Sequence, residues 1–153
     1  QAVNSVKYPP SGNRGVGLYR AQSYGKKFEN YLNWLENESL VIIQIENIKA
    51  IENIDEIFAT KGIDAFLIGP YDLSGSMNKP GDFDDKEFKN NIKKILKSSK
   101  KHKIPAGFHS VSSDPNEAIK NIKNDYKFLA FSLDSIILQD AAILSMSKIK
   151  KYS

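Results

Sequence analysis

Short apolar runs alternate with segments of helical periodicity along most of the chain. Leu40-Val41-Ile42-Ile43-Gln44-Ile45 is short, β-branched and nearly all apolar, the pattern of a strand covered on both faces. Ala50 to Thr60 follows, with Ile51, Ile54, Ile57 and Phe58 at the spacing of one helix face. Ala65-Phe66-Leu67-Ile68 predicts a second strand. Asp84 to Lys101 predicts a long helix with Phe88, Ile92, Ile95 and Leu96 on one stripe. Ile104 to Phe108 predicts a third, weaker strand. Pro115 to Asn124 predicts a helix, because Asp114 suits an N-cap and Pro115 suits the first helical position. Phe128 to Leu133 predicts a fourth strand, and Asp134 a cap for a last helix through Lys150. Ahead of the first strand, Tyr8 to Tyr24 is rich in Pro, Gly and Arg and reads as a structured loop. Phe28 to Asn37 reads as a helix with Phe28, Tyr31, Leu32 and Leu35 as its apolar stripe.

The order is βα, four times over. Strands joined by helices run parallel, because each crossover returns the chain to the same end of the sheet. Such units build an open doubly wound sheet or a closed barrel, and four strands are half of an eight-stranded barrel. At 153 residues the chain has the length of one domain, residues 1–153.

Composition narrows the classes. Hydrophobic residues make up 41% and charged residues 26%, which predicts a packed globular protein and excludes a disordered one. No apolar run approaches the ~20 residues of a membrane helix, so no membrane partner is expected. Gln1 to Lys7 lack an apolar signal core. The absence of cysteine excludes a disulfide framework and thiol chemistry and fits a cytoplasmic location. The net charge of +4 raises the question of nucleic acid. The lysines, however, cluster at Lys93-Lys94, Lys97 and Lys100-Lys101, between apolar residues of a helical segment. They read as a solvated helix face, with no nucleic-acid partner.

In parallel α/β folds, ligands collect at the C-terminal ends of the strands. Gln44, Glu46 and Asn47 follow or end strand one; Gly69, Pro70, Tyr71 and Asp72 follow strand two; His109 and Ser110 follow strand three; Asp134 and Ser135 follow strand four. Glu46 and Asp72 hold equivalent places on neighbouring strands. Two carboxylates on one rim repel unless a cation, a proton or a basic group lies between them, and hard oxygen donors favour Mg²⁺ or Mn²⁺. The alternative is that each only caps the helix that follows it. Gly69 to Ser74 is either an anion-binding nest or an ordinary βα turn. Gly12-Asn13-Arg14-Gly15-Val16-Gly17 fails as a dinucleotide loop, because no strand precedes it and no helix opens from it. His109 is a rim histidine, whereas His102 lies among lysines and reads as solvated.

Three blocks together resemble the HpcH/HpaI aldolase family of metal-dependent pyruvate aldolases. They are Tyr8-Pro9-Pro10-Ser11-Gly12-Asn13-Arg14-Gly15-Val16-Gly17, Gln44-Ile45-Glu46 with the helix after it, and Gly62 through Gly69-Pro70-Tyr71-Asp72-Leu73-Ser74. The resemblance implies strands five to eight of a (β/α)₈ TIM barrel, the C-terminal half, without the N-terminal strands. It implies Glu46 and Asp72 as ligands of Mg²⁺, Mn²⁺ or Co²⁺. It implies Gln44 as a contact of pyruvate, the backbone amides of Tyr71 and Asp72 as holders of its carboxylate, and His109 on the aldehyde side, where the family often has an apolar residue. The family's catalytic histidine, its acid partner and its enolate-binding arginine belong to earlier strands, so no catalytic residue is expected within this sequence.

The reaction implied is carbon–carbon lysis of a 4-hydroxy-2-oxo acid, such as 2-dehydro-3-deoxyglucarate or 4-hydroxy-2-oxoheptanedioate, to pyruvate and an aldehyde, in a homo-oligomer. Lys61 and the other lysines are not placed at a strand end, which argues against a Schiff-base aldolase. Two other readings compete: a CoA-ester lyase of the citrate-lyase β-chain type, and a non-catalytic half-barrel.

Overall fold

The computed structural model describes residues 1–152. A short helix α1 (Ala2–Val6), an irregular segment with a 3₁₀ turn at Arg20–Gln22, and α2 (Phe28–Asn37) precede the sheet. Then come β1 (Ile42–Ile45), α3 (Ile48–Glu52), α4 (Ile54–Phe58), β2 (Ala65–Ile68), α5 (Pro70–Ser76), α6 (Lys86–His102), β3 (Ala106–Ser110), α7 (Pro115–Lys123), β4 (Phe128–Phe131) and α8 (Asp134–Ile149). The four strands pair in parallel, in the order β1-β2-β3-β4. Sequential parallel order is what repeated right-handed βα crossovers produce.

Register divides the sheet into two faces. Ile45, Ile68, Phe108 and Leu129 align across the four strands, and all four belong to or pack against the hydrophobic core. That core fills the space between the sheet and the helices, with Ile51, Ile54, Phe58, Leu73, Phe88 and Ile95 from the helix side. The Phe58 and Phe66 rings lie 4.6 Å apart within it. The alternate row is Gln44, Leu67, Gly107 and Phe128. It points to the other face, where Gln44 is exposed and the Phe128 ring lies over Gly107.

β1 is therefore covered on one face only. This corrects the expectation of two-sided burial for Leu40 to Ile45: Ile42 is 48% exposed, because the open face is the one a closed barrel would turn inward.

Element boundaries moved for local reasons. The expected single helix over 50–60 is two helices. Asn53 donates its side-chain amide to the Lys49 carbonyl at 2.9 Å, the acceptor its own N–H would use in a continuous helix. Regular β3 pairing starts at Ala106 and runs to Ser110, later than expected, because Lys103 ends α6 in the left-handed region and Pro105 has no N–H. His109 and Ser110 are thus strand residues. α6 starts at Lys86, since Asp85 accepts from the Glu87 and Phe88 amides. Ser132, at φ 57°, stops β4 before Leu133. The N-cap of α8 is Leu133, with Asp134 the first helical residue. Asp114 caps α7 as expected, accepting from the Asn116 amide. The α6 lysines 93, 94, 97, 100 and 101 are exposed, the solvated face expected of them.

Candidate active site

Glu46 lies one residue beyond β1, on the same side of the chain as Gln44 and hence on the open face. It does not cap α3. That position belongs to Asn47, whose side chain accepts from the Lys49 amide at 3.0 Å. Asp72 sits in the first turn of α5. The segment from Gly69 to Ser74 is therefore the start of a helix and not a free-standing turn. Gly69 is its N-cap and Pro70 its first residue, preset for helical φ. The first bond of α5 runs from the Leu73 amide to the Gly69 carbonyl at 3.0 Å. The amides of Tyr71 and Asp72 precede that bond, and the helix offers them no acceptor.

Glu46 and Asp72 line one open cleft of about 590 Å³, with Asn47, Tyr71, Ser76 and Pro80. Both carboxylates are exposed. Neither takes part in an ion pair or a side-chain hydrogen bond among the described residues. Two unpartnered carboxylates in one cleft offer hard oxygen donors and open positions, a donor set that fits a cation such as Mg²⁺ or Mn²⁺. No group of three His, Cys, Asp or Glu side chains that could hold a metal ion occurs among the described residues. A cation here would therefore take its remaining ligands from substrate and water.

Gln44 is the neighbour of this pair. A Cβ built on Gly69 would stand 2.6 Å from Gln44 Nε2 and 3.3 Å from Glu46 Cβ. Glycine at 69 is what lets both side chains converge there. His109 lines a second cavity, of about 630 Å³, with Phe83, Lys120 and Asp140. Its Nε2 lies 3.5 Å from the Ser132 carbonyl. Glu46 and Asp72 do not border that cavity. Tyr71 borders both spaces and stands between them, braced edge-on by Phe83 at 4.9 Å.

Two serines of α5 hold this end of the sheet together, and sequence reasoning missed Ser76. Ser74 is fully buried. It donates to the Tyr71 carbonyl at 2.9 Å and accepts from the Gly81 amide at 3.0 Å, which folds the following loop against the cleft. Ser76 reaches the segment after β1. The signal available beforehand was the Ser74-Gly75-Ser76 run at the end of a short apolar segment, a weak one. Arg14 is drawn into the N-terminal segment instead of the cleft. It packs 5.0 Å from the centre of the Tyr8 ring and donates to the Tyr31 hydroxyl at 3.2 Å.

Comparison with known proteins places this geometry. The family model of HpcH/HpaI aldolase/citrate lyase matches residues 1–141. A 2-keto-3-deoxy-L-rhamnonate aldolase of Escherichia coli is 33% identical over 143 residues, which are 92% of this chain and 52% of that protein. An HpcH/HpaI aldolase from Desulfitobacterium hafniense superposes with a TM-score of 0.82 at 27% identity, over 97% of this chain and 57% of its own. A protein of the same family from Burkholderia cenocepacia gives a TM-score of 0.86 at 25% identity, over 97% and 58%. The chain thus spans about half the length of the relatives it matches, and its parallel sheet corresponds to half of their barrel. No helix among the described residues is long and apolar enough to cross a membrane.

Proposed function

Because this chain belongs to the HpcH/HpaI aldolase/citrate lyase family, we propose that it is the metal-binding, C-terminal half of a class II aldolase that cleaves a 4-hydroxy-2-oxo acid to pyruvate and an aldehyde. The observation that carries the reading is the pair Glu46 and Asp72, exposed, unpartnered and lining one cleft at the strand ends. The curated relative acts, by its name, on a 2-keto-3-deoxy sugar acid, which favours substrates such as 2-dehydro-3-deoxyglucarate or 4-hydroxy-2-oxoheptanedioate over a CoA ester.

Glu46 and Asp72 would hold Mg²⁺, Mn²⁺ or Co²⁺. When bound, such a cation supplies Lewis-acid stabilisation of the charge that develops on the keto oxygen as the C3–C4 bond breaks. The chain's own residues do the rest of the binding. The amides of Tyr71 and Asp72 open toward a carboxylate at the start of α5. Gln44, pressed against Gly69, offers a neutral amide to the oxo acid. His109, across Tyr71, faces the aldehyde portion and can hydrogen-bond its hydroxyl or carboxylate. The general base and the arginine that steadies developing charge come from the other half of the barrel. Each such group typically contributes ~10² to 10⁴-fold, so residues 1–153 alone turn over poorly.

The test has two parts. Glu46→Gln and Asp72→Asn, placed in the complete barrel, abolish Mn²⁺-dependent release of pyruvate from a 4-hydroxy-2-oxo acid. In the chain itself they abolish Mn²⁺ binding followed by electron paramagnetic resonance. Wild-type turnover in either variant would overturn the assignment.

A further inference from the structure

The two carboxylates ride on segments that diverge. β1 and β2 pair as far as Ile45 and Ile68, and the amide of Gly69 donates to the Ile45 carbonyl at 3.2 Å. Beyond that bond the chains part, one into α3 and one into α5. Glu46 and Asp72 both lie past the parting point, where the sheet ladder no longer fixes their separation.

One side chain rejoins them. The Ile48 amide, two residues after Glu46, donates to Ser76 Oγ at 3.0 Å. The Ser76 hydroxyl donates in turn to the carbonyl of Leu73, the residue after Asp72, at 2.7 Å. A hydroxyl has one proton and two acceptor sites, so both bonds form at once and each fixes a direction. Ser76 is half-buried and lines the same cleft as the carboxylates.

We propose that Ser76 is a positioning residue that sets the separation of Glu46 and Asp72 and thereby the affinity of the cleft for a divalent cation. This rests on the metal reading above. Small hard cations demand short oxygen contacts in near-ideal geometry. A rim that drifts by a fraction of an ångström loses one of its two protein ligands. Hydrogen bonds behind metal ligands typically govern affinity by 10- to 100-fold.

The same bond can be removed from either end. Ser76→Ala deletes the acceptor. Ile48→Pro deletes the donor at the first position of α3, where proline is tolerated, and Asn47 before it is already extended at φ −140°, ψ 141°. Ser76→Thr keeps the hydroxyl. Each variant of the full chain is titrated with Mn²⁺ by electron paramagnetic resonance, and its metal-free melting is followed by circular dichroism. Ser76→Ala and Ile48→Pro each weaken Mn²⁺ binding by about tenfold, Ser76→Thr stays near wild type, and metal-free helix content is unchanged in all three. Wild-type affinity in Ser76→Ala or in Ile48→Pro, with binding lost in Asp72→Asn, overturns the role of Ser76 and leaves the metal site standing. Equal Mn²⁺ binding by wild type and Asp72→Asn, or binding by neither, removes the metal site and this inference with it.

Discussion

Gly69 and Gln44 are packed so closely that a methyl group on Gly69 would stand 2.6 Å from Gln44 Nε2. Gly69 has an ordinary backbone conformation, φ −95° and ψ 93°, so glycine is required here by space and not by torsion. Gly69→Ala therefore keeps the fold, at a cost of about 1 kcal/mol for local overpacking. It displaces the Gln44 amide and crowds Glu46, whose Cβ would be 3.3 Å away. The expected result is a small fall in melting temperature with a larger fall in Mn²⁺–oxalate affinity. Unchanged oxalate binding would show that the Gln44 position does not matter to the ligand.

His109 borders the cavity on the far side of Tyr71 from the carboxylates. In the complete barrel, His109→Leu should change the ratio of kcat/KM among aldehyde acceptors more than it changes pyruvate affinity. The measurement is the acceptor profile in the condensation direction. An identical profile for variant and wild type removes His109 from the aldehyde site.

Asp55 joins α4 to the end of α6. Hydrogen bonds from Lys101 first and the Ser98 hydroxyl second hold its carboxyl down to about 2, from an ordinary 3.8. His102, expected to be solvated, instead buries its Nε2, which lies 3.3 Å from the same carboxylate without a hydrogen bond. The folded value is below the unfolded one, so the stabilisation is complete above pH 3.8 and is lost as pH falls toward 2. The urea midpoint of the wild type should fall across that window more steeply than that of Asp55→Asn. Parallel curves would rule out the linkage.

α8 carries no buried residue. Leu138 is 72% exposed and Ile143, Leu144 and Ile149 more than half exposed, while β1 and β4 form the edges of the sheet. Exposed apolar helices and unpaired parallel edges both recruit partners. Residues 1–153 should scatter light as dimers or larger species, and Leu138→Lys with Leu144→Lys should move the distribution toward monomer at unchanged helix content. A monodisperse wild-type monomer would show that these surfaces are not adhesive.

Local chemistry was legible in the amino-acid order. The short apolar runs predict all four strands within a few residues, and Phe28 to Asn37 appears as the helix expected, because amphipathic period and strand length are properties of neighbours along the chain. Asp114 was readable as a cap for the same reason, and Glu46 and Asp72 fell after adjacent strands by simple counting. What depended on atoms far apart in sequence was not legible. The sequence of β1 cannot say whether its second face is covered, since that depends on strands outside it, and Ile42 and Gln44 stay exposed. Whether Glu46 caps α3 was settled by Asn47, whose shorter side chain reaches the Lys49 amide. The bond from Ile48 to Ser76 spans 28 residues. It forms only because parallel pairing brings the ends of β1 and β2 side by side, a contact that periodicity along one segment does not encode.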